Sequence, residues 1–367
     1  MRIANDLASL PLWYAGEDDC VVLPNDEHCE YRNKISSFFS VASPFGAEKL
    51  KSITACMPWG WSPQVKRRLC VMGFENLLPS DSCVARIREL SNRKSSIKIL
   101  SALKERGVDT PPLPLYCTNP DDVACFVDSR PRCVVKAPWS GSGKGIMWGI
   151  GRVETPMEHF YKGVIKRQGG VVCEEFLNAK VEFAMEFFTN GNAVSFAGYS
   201  LFKSFKGSYS GNILASDSDI ELFLAKYIPL DELLRVKSAL PDVLSSLLCG
   251  SGYEGYFGID MMIYESNGTM RLNPCMELNL RMNMGMVSRI FFDRYVAAGC
   301  KGEYRVNFFK KPGEALAAHL ADSTAFPLEI TDGKIKAGYL NLSPVTADSR
   351  YSVSVVVYND KEIVEMY

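Results

Sequence analysis

Two predicted strands joined by a hairpin turn constrain this chain more than any other feature of its sequence. Successive side chains of a strand point to opposite faces, so the acid, amide and guanidinium of Glu277, Asn279 and Arg281 share one face. The dipeptide Asn267-Gly268 predicts a tight turn that brings Asp260, on the preceding strand, beside Glu277 and Asn279. The opposite face of that preceding strand is apolar and carries Phe257, Ile259, Met261 and Ile263.

These polar side chains offer the ligands that a magnesium ion prefers. Carboxylate and amide oxygens are hard donors, and Mg²⁺ usually completes its octahedral shell with water and substrate phosphates. We therefore expect Asp260, Glu277 and Asn279 to bind Mg²⁺. The planar fork of Arg281 would hold a phosphate or an acyl phosphate through two hydrogen bonds. The alternative interpretation is a strand pair with an ordinary polar face, whose acids are only solvated.

A glycine- and serine-rich loop follows a short β-branched strand in the segment Cys133–Ile146. Backbone N–H groups of such a loop can close around phosphate oxygens, and glycine permits the close approach that this takes. Lys136, at the end of the strand, adds a positive charge for a phosphate. A P-loop does not fit, since Pro138 and Gly145 stand where that motif needs a glycine and a Ser or Thr. A surface loop without a ligand remains the alternative.

The segment Val171–Phe188 contains two apolar runs with a polar link between them. A backbone segment that leaves a strand can pair with an adenine edge, and an acid early in the following strand can accept the ribose hydroxyls. Glu174, Glu175, Leu177 and Glu182 stand at suitable places for those contacts. The same residues would also fit a charged strand at the edge of a sheet.

Taken in order, these segments resemble the ATP-grasp superfamily, whose α/β (α+β) fold is shared by many ATP-dependent carboxylate-amine ligases. The resemblance runs from about Asn92 to about Gly299, and it begins with an amphipathic helix that stops at Gly107. The basic residue that opens this helix and meets the nucleotide is Lys94 or, in an alternative register, Arg93.

The resemblance also assigns roles to single residues of this chain. Lys136 resembles the strand lysine that meets the nucleotide phosphates, and Glu182 looks like the ribose acid. Arg281 resembles the arginine that holds the reacting phosphate. By the same likeness, Arg281 and Lys136 are the catalytic residues, and Asp260, Glu277 and Asn279 hold Mg²⁺. The residues that the resemblance assigns to nucleotide binding are Lys94, Lys136, Ser140, Gly141, Ser142, Gly143, Glu174, Glu175, Phe176, Leu177 and Glu182.

A reaction and two cofactors, ATP and Mg²⁺, are implied by this resemblance. Phosphoryl transfer from ATP to a small-molecule carboxylate gives an acyl phosphate, which an amine then attacks to form a C–N bond. Two alternatives share the same nucleotide site: a kinase or phosphotransferase that releases a stable phosphorylated product, and an ATP-binding module without turnover. No pattern in the sequence identifies the carboxylate or the amine.

Three regions are predicted along the chain: a small α/β pre-ATP-grasp domain at 1–90, a nucleotide-binding and catalytic domain of two subdomains at 91–300, and a β-rich C-terminal extension at 301–367. In the first region we predict short strands at Val21–Leu23 and Ile53–Cys56. A small domain ahead of the nucleotide-binding domain is common among ATP-grasp ligases.

Two further groups of side chains are candidates for lining a substrate pocket. Lys203, Lys206 and Tyr209 lie in a polar, glycine-dotted stretch, for which a solvated hairpin tip is the alternative. Trp59 and Trp61 form the second group. A core position is favoured for both, because large aromatic side chains more often anchor a core.

The composition argues against several classes of function. A formal net charge of -1 gives no electrostatic case for binding nucleic acid or an anionic membrane. Twelve cysteines are scattered without a Cys-x-x-Cys pair, and the three histidines lack a nearby serine signature, so a zinc site and a hydrolase triad are poorly supported. With no stretch of membrane-spanning length and no apolar signal core at the N-terminus, a cytoplasmic protein is expected.

Overall fold

The computed structural model describes residues 2–141, 145–205 and 208–367, and its N-terminal region is mainly helical. The strand predicted at Val21–Leu23 is found at Cys20–Val21, paired in parallel with a second short strand. The strand predicted at Ile53–Cys56 is wrong, because this half-buried to exposed segment pairs with no strand of the described chain. The elements of this region are α1 (Arg2–Asp6), β1 (Cys20–Val21), α2 (Asp26–Ile35), β2 (Ser43–Pro44), α3 (Pro63–Val71) and α4 (Asp81–Leu90).

A smaller antiparallel sheet follows in the chain. The elements of this part are α5 (Ser95–Glu105), β3 (Leu115–Cys117), α6 (Pro120–Asp128), β4 (Cys133–Lys136), β5 (Ile146–Gly149), α7 (Thr155–Gln168) and β6 (Val171–Glu175). Among the described residues the strand order is β3-β6-β4-β5, and α6 and α7 pack against the sheet. Buried apolar residues such as Val123, Tyr161 and Val135 form the core between these helices and strands.

The rest of the chain builds a larger antiparallel sheet. Its elements are β7 (Asn178–Thr189), β8 (Val194–Phe205), β9 (Ser208–Leu214), α8 (Asp217–Leu224), α9 (Leu230–Leu248), β10 (Gly255–Ser266), β11 (Thr269–Asn279), α10 (Met284–Tyr295), β12 (Lys301–Phe308), α11 (Glu314–Ala325), β13 (Glu329–Thr331), β14 (Lys334–Asn341), β15 (Tyr351–Tyr358) and α12 (Ile363–Met366). In the described part of the chain the strand order is β11-β10-β7-β8-β9-β12-β15-β14-β13. The strands after residue 300 therefore continue the sheet that contains β10 and β11.

The predicted hairpin between β10 and β11 is confirmed. Asn267 and Gly268 have φ values of 51° and 76°, the left-handed conformation that a tight hairpin turn requires and that asparagine and glycine tolerate best. The predicted apolar face is confirmed as well, since the side chains of that face are completely buried in a core shared with α8 and α9. The opposite face of β10 carries Asp260 together with the buried side chains of Met262 and Tyr264. The completely buried residues are Phe257, Ile259, Met261 and Ile263.

The N-terminal region is anchored to the large sheet through Trp13. Its ring packs edge-on against Phe39 of the same region and against Phe291 and Tyr295 of α10, with centroid separations of 5.6, 5.3 and 5.3 Å. Aromatic rings in such T-shaped contacts bury large areas and add specific attraction. The helix that follows β11 is thereby fixed between the sheet and the N-terminal region.

Among the described residues, no helix combines the length and the apolar character that crossing a membrane requires. All twelve cysteines are free thiols.

Candidate active site

The strand pair β10–β11 brings the three predicted metal ligands together. Asp260 and Glu277 lie directly opposite each other in the antiparallel register, so their side chains point to the same face. Asn279 points the same way, and its Nδ2 donates a hydrogen bond to Asp260 Oδ2 at 3.0 Å. Arg281 follows as an exposed residue whose Nη2 donates to Asn279 Oδ1 at 3.1 Å.

The electrostatics at this position favour a cation. Burial and, next, the Glu277 carboxylate raise the pKa of the Asp260 carboxyl to about 7. Two acids that face each other repel, and a divalent cation would offset that repulsion. The donor types also fit Mg²⁺. In the described part of the chain no group of three or more His, Cys, Asp or Glu side chains could hold a metal, so a magnesium site here would need the amide oxygen of Asn279 as its third protein donor.

Arg93 links this strand pair to the small sheet. Its side chain is 4% exposed. The Nε and Nη2 atoms donate to Glu277 Oε2 at 3.2 and 3.0 Å, while Nη1 donates to the Ala137 carbonyl at 2.8 Å and to Ser140 Oγ at 2.5 Å. Since Ala137 and Ser140 follow directly after β4, Arg93 joins the two sides of a cleft between the sheets.

Lys94, the residue predicted to open the nucleotide site, points elsewhere in this structure. Its Nζ lies 2.5 Å from Glu89 Oε1 and 5.3 Å from the centroid of the Tyr116 ring. Of the two residues that the sequence left open, Arg93 is the one that contacts a predicted metal ligand, Glu277.

Lys136 and Glu174 form an ion pair inside the cleft. The distance from Lys136 Nζ to Glu174 Oε2 is 2.5 Å, and the two side chains are 10% and 14% exposed. Close by, Gly145 has a φ of 69°, and a Cβ there would lie 2.8 Å from the Cβ of Ser140. The backbone therefore needs glycine at this point. Gly141 precedes the segment 142–144, and the predicted phosphate-binding residues Ser142 and Gly143 lie outside the described residues.

A small pocket lies between the sheets where the adenine contacts were predicted. The side chain of Phe176 does not line it, because its ring packs against Trp148 and beneath the guanidinium of Arg132, 3.5 Å from the ring centroid. The Phe176 N–H donates to the Arg132 carbonyl at 3.4 Å. Glu175 lies at the exposed rim, with Oε1 3.6 Å from Arg130 Nε. The pocket is lined by residues that include Leu100, Pro112, Glu174, Leu177, Asn273 and Cys275.

The remaining candidates lie on both sides of the metal ligands. Lys203 Nζ donates to Glu303 Oε1 at 2.9 Å, and Lys206 lies outside the described residues. Trp59 and Trp61 are partly buried against apolar cores, as favoured from the sequence. Their segment also borders the site, because the Met282 N–H donates to the Trp59 carbonyl at 2.8 Å.

Solved structures provide the comparison that identifies this architecture. N5-carboxyaminoimidazole synthetase from Staphylococcus aureus, an enzyme of the ATP-grasp fold, matches with a TM-score of 0.54 over 98% of this chain and 94% of its own, at 14% sequence identity. The chain has the ATP-grasp fold. N5-carboxyaminoimidazole ribonucleotide synthetase from Thermus thermophilus covers 96% of this chain and 92% of its own, with a TM-score of 0.50 and 14% identity. Biotin carboxylase from Campylobacter jejuni, solved as a β,γ-ATP complex, covers 85% and 73%, with a TM-score of 0.50 and 13% identity.

These likenesses between ATP-grasp structures carry no information on the substrate at such low identity. No protein-family model matches the sequence, and no curated protein matches it. The chemistry of this chain therefore has to be argued from its own side chains.

Two residues of this ATP-grasp cleft were missed from the sequence. Glu186 lies on the same face of β7 as Glu182 and is 1% exposed. Its Oε2 accepts a hydrogen bond from Asn283 Nδ2 at 2.7 Å, and Asn283 Oδ1 accepts one from the Met286 N–H at the start of α10. The even spacing between Glu182 and Glu186 was the available signal, since residues two and four apart in a strand share a face.

Proposed function

We propose that this protein is an ATP-dependent ligase that activates a carboxylate as an acyl phosphate for attack by an amine. The observation that carries the proposal is the convergence of Asp260, Glu277 and Asn279 from the large sheet with two cations. These cations are Lys136 of the small sheet and Arg93, which contacts Glu277 as well as the residues that follow β4. Such a set suits the phosphates of a magnesium nucleotide. The ATP-grasp fold supports the same interpretation.

The nucleotide would lie across the cleft between the sheets. The pocket beside Glu174 and Leu177 would take the adenine, and Glu182 would accept the ribose hydroxyls. Lys136 and the segment that begins at Ser140 would bind the phosphates. Mg²⁺ held by Asp260, Glu277 and Asn279 would supply charge neutralisation for the phosphate oxygens.

The chain itself contributes position and charge compensation to the reaction. A carboxylate oxygen of the substrate attacks the γ-phosphorus, the bond to the β-γ bridging oxygen breaks, and ADP leaves with that electron pair. The guanidinium of Arg281 is exposed at the end of β11, where it would bind the transferred phosphoryl group. The amine nitrogen then attacks the acyl carbon, and the C–O bond breaks so that phosphate leaves.

A hydroxylamine assay tests this function. The native protein is incubated with Mg²⁺, ATP, hydroxylamine and a small-molecule cell extract as the source of carboxylates. We expect ADP release that depends on the extract, accompanied by a hydroxamate, because hydroxylamine traps an acyl phosphate and leaves a phosphate ester untouched.

Other outcomes of this assay would contradict the ligase. ADP release with a phosphate ester and without a hydroxamate would identify a kinase or phosphotransferase. Heat of ATP binding in a calorimeter without any ADP release would identify an ATP-binding module.

Replacing Lys136 by methionine is expected to weaken ATP binding. Lys136 sits in the cleft, and one hydrogen bond from a charged group is worth roughly 1.5–3 kcal/mol, so we expect the Kd for ATP to rise at least about tenfold. Calorimetric titration with ATP and Mg²⁺ measures this change. The matched control is Lys162→Met, which breaks an exposed Lys162–Glu158 pair of the same 2.5 Å length and should leave the Kd unchanged. Equal Kd values for the two variants would contradict the role of Lys136.

A further inference from the structure

Acidic side chains lie in a fixed order along the face of the large sheet that carries Asp260. Glu182 and Glu186 share this face of β7, and at about 3.3–3.4 Å per residue they lie roughly 13 Å apart. Asp260 is in register with the residue midway between them. The predicted ribose acid, the metal ligands and Glu186 therefore follow one another across the face. If the ribose lies at the Glu182 end, Glu186 lies beyond the reacting phosphate.

Glu186 is a buried acid without an ion-pair partner among the described residues. Within that part of the chain the Glu186 carboxylate accepts one hydrogen bond, from the neutral side-chain amide of Asn283 at 2.7 Å. Burial raises the pKa of Glu186 to about 8, the Asn283 hydrogen bond lowers it, and the charges of Asp260 and Arg281 have smaller opposed effects. A buried carboxyl that lacks a cation is costly to keep, so its presence on the sheet face that carries Asp260 points to a role with a ligand.

The backbone around Glu186 leaves room for its carboxyl group. Gly258 lies beside it in register on β10, and a Cβ there would come within 2.6 Å of Glu186 Oε2. A Cβ on Gly285, at the start of α10, would come within 2.4 Å of Oε1. Any other residue at either glycine would make the carboxyl shift, so the two glycines leave the space that this acid occupies.

Tyr209 contributes a second buried polar atom near the same place. Within the described residues its hydroxyl has no hydrogen-bond partner. Burial raises the pKa of that hydroxyl well above its usual value, and the nearby Tyr304 and Glu186 raise it further. Tyr304 packs close by, with its hydroxyl 3.4 Å from Met284 Sδ. A ligand with hydrogen-bonding capacity would satisfy the Tyr209 hydroxyl.

We propose that Glu186 binds the attacking amine of the acceptor and takes up its proton, with the Tyr209 hydroxyl as a second hydrogen-bond partner of that amine. The inference rests on the proposed ligase function. As the amine nitrogen forms its bond to the acyl carbon, the C–O bond to phosphate breaks, phosphate leaves with the electron pair, and the N–H proton passes to a Glu186 oxygen. An acid that is buried next to the cleft receives this proton without competition from bulk water.

The test separates the two half-reactions in the Glu186→Gln protein. Hydroxylamine is largely unprotonated at neutral pH and needs no base, so hydroxamate formation from ATP and the cell extract should stay within about twofold of native. Ligation to the amines of the same extract, followed by mass spectrometry, should fall about 100-fold, the usual contribution of a general base. Glu221→Gln, which changes a distant acid paired with Lys237 at 2.8 Å, is the control and should leave both rates unchanged.

Tyr209→Phe is the second variant and avoids a folding defect, since it removes a hydroxyl without a partner among the described residues. We expect the rate of ligation to fall about tenfold, because one hydrogen bond of ordinary strength is lost. Hydroxamate formation should be unchanged. Tyr199→Phe is the matched control, because Tyr199 carries another buried hydroxyl without a partner in the described chain and packs in the core on the opposite face of the sheet.

Each remaining outcome decides against the inference. Full ligation by Glu186→Gln, or loss of hydroxamate and ligation to the same extent, would overturn the role of Glu186. If the Glu186→Gln protein no longer binds ATP in a calorimeter, the Tyr209→Phe protein provides the test instead. A ligation rate of Tyr209→Phe equal to that of Tyr199→Phe would then overturn the inference. A native protein that forms hydroxamate without ligating any amine would overturn the acceptor assignment alone. A native protein without hydroxamate would overturn the ligase function as well.

Discussion

We expect the Arg281→Ala protein to release ADP about 100- to 1000-fold more slowly than the native protein, the cost of removing one group that stabilises transition-state charge. The guanidinium is exposed, and its contacts are to Asn279 Oδ1 at 3.1 Å and to the Met282 carbonyl at 3.4 Å. Alanine keeps the Cβ that packs near Gly60, so the fold should be retained. Steady-state ADP release with the cell extract and saturating ATP measures the effect.

Arg271→Ala is the matched control for this prediction. Arg271 is an exposed arginine on β11, the strand that precedes Arg281, and its Nη1 lies 3.3 Å from Asp109 Oδ2 at the protein surface. Its removal should leave ADP release within about twofold of native, since an exposed ion pair contributes little. If both arginine variants keep native rates, Arg281 does not bind the transferred phosphoryl group.

The strand pair that carries Arg281 was predictable because its information is local. Alternation of polar and apolar residues fixes which side chains share a face, and Asn267-Gly268 fixes the turn and with it the register. Asp260 opposite Glu277 follows from these two facts alone. The order of the four motifs then indicated the ATP-grasp fold, which the comparison with solved structures confirmed.

What the sequence left open depends on contacts between distant segments. Arg93 and Lys94 are adjacent, and only the packing of α5 against the sheet decides which of them reaches Glu277, 184 positions away. The error at Ile53–Cys56 has a related cause. This segment has β-branched residues, which favour a strand. A strand forms only where a neighbouring strand satisfies its backbone hydrogen-bonding groups, and the local sequence does not indicate whether such a neighbour is present.

The Arg93→Met protein is expected to be destabilised by about 3 kcal/mol, because removing one partner of a buried ion pair leaves the other uncompensated. Arg93 is 4% exposed and donates two hydrogen bonds to Glu277 Oε2, one to the Ala137 carbonyl and one to Ser140 Oγ. Methionine retains much of the apolar stem and replaces none of these donors. Urea unfolding of the native and variant proteins, analysed by linear extrapolation, gives the difference in the free energy of unfolding.

Lys94→Met provides the control next in the chain. The Lys94–Glu89 pair is 33% and 45% exposed, so its loss should cost no more than about 1 kcal/mol. Adding Glu277→Met to Arg93→Met removes the stranded carboxylate as well, and we expect the double variant to be more stable than Arg93→Met alone, since replacing both partners avoids an unpaired buried charge. A double variant with the summed losses of the two single variants would mean that Arg93 and Glu277 do not interact in solution. The connection between the two sides of the cleft would then have to lie elsewhere.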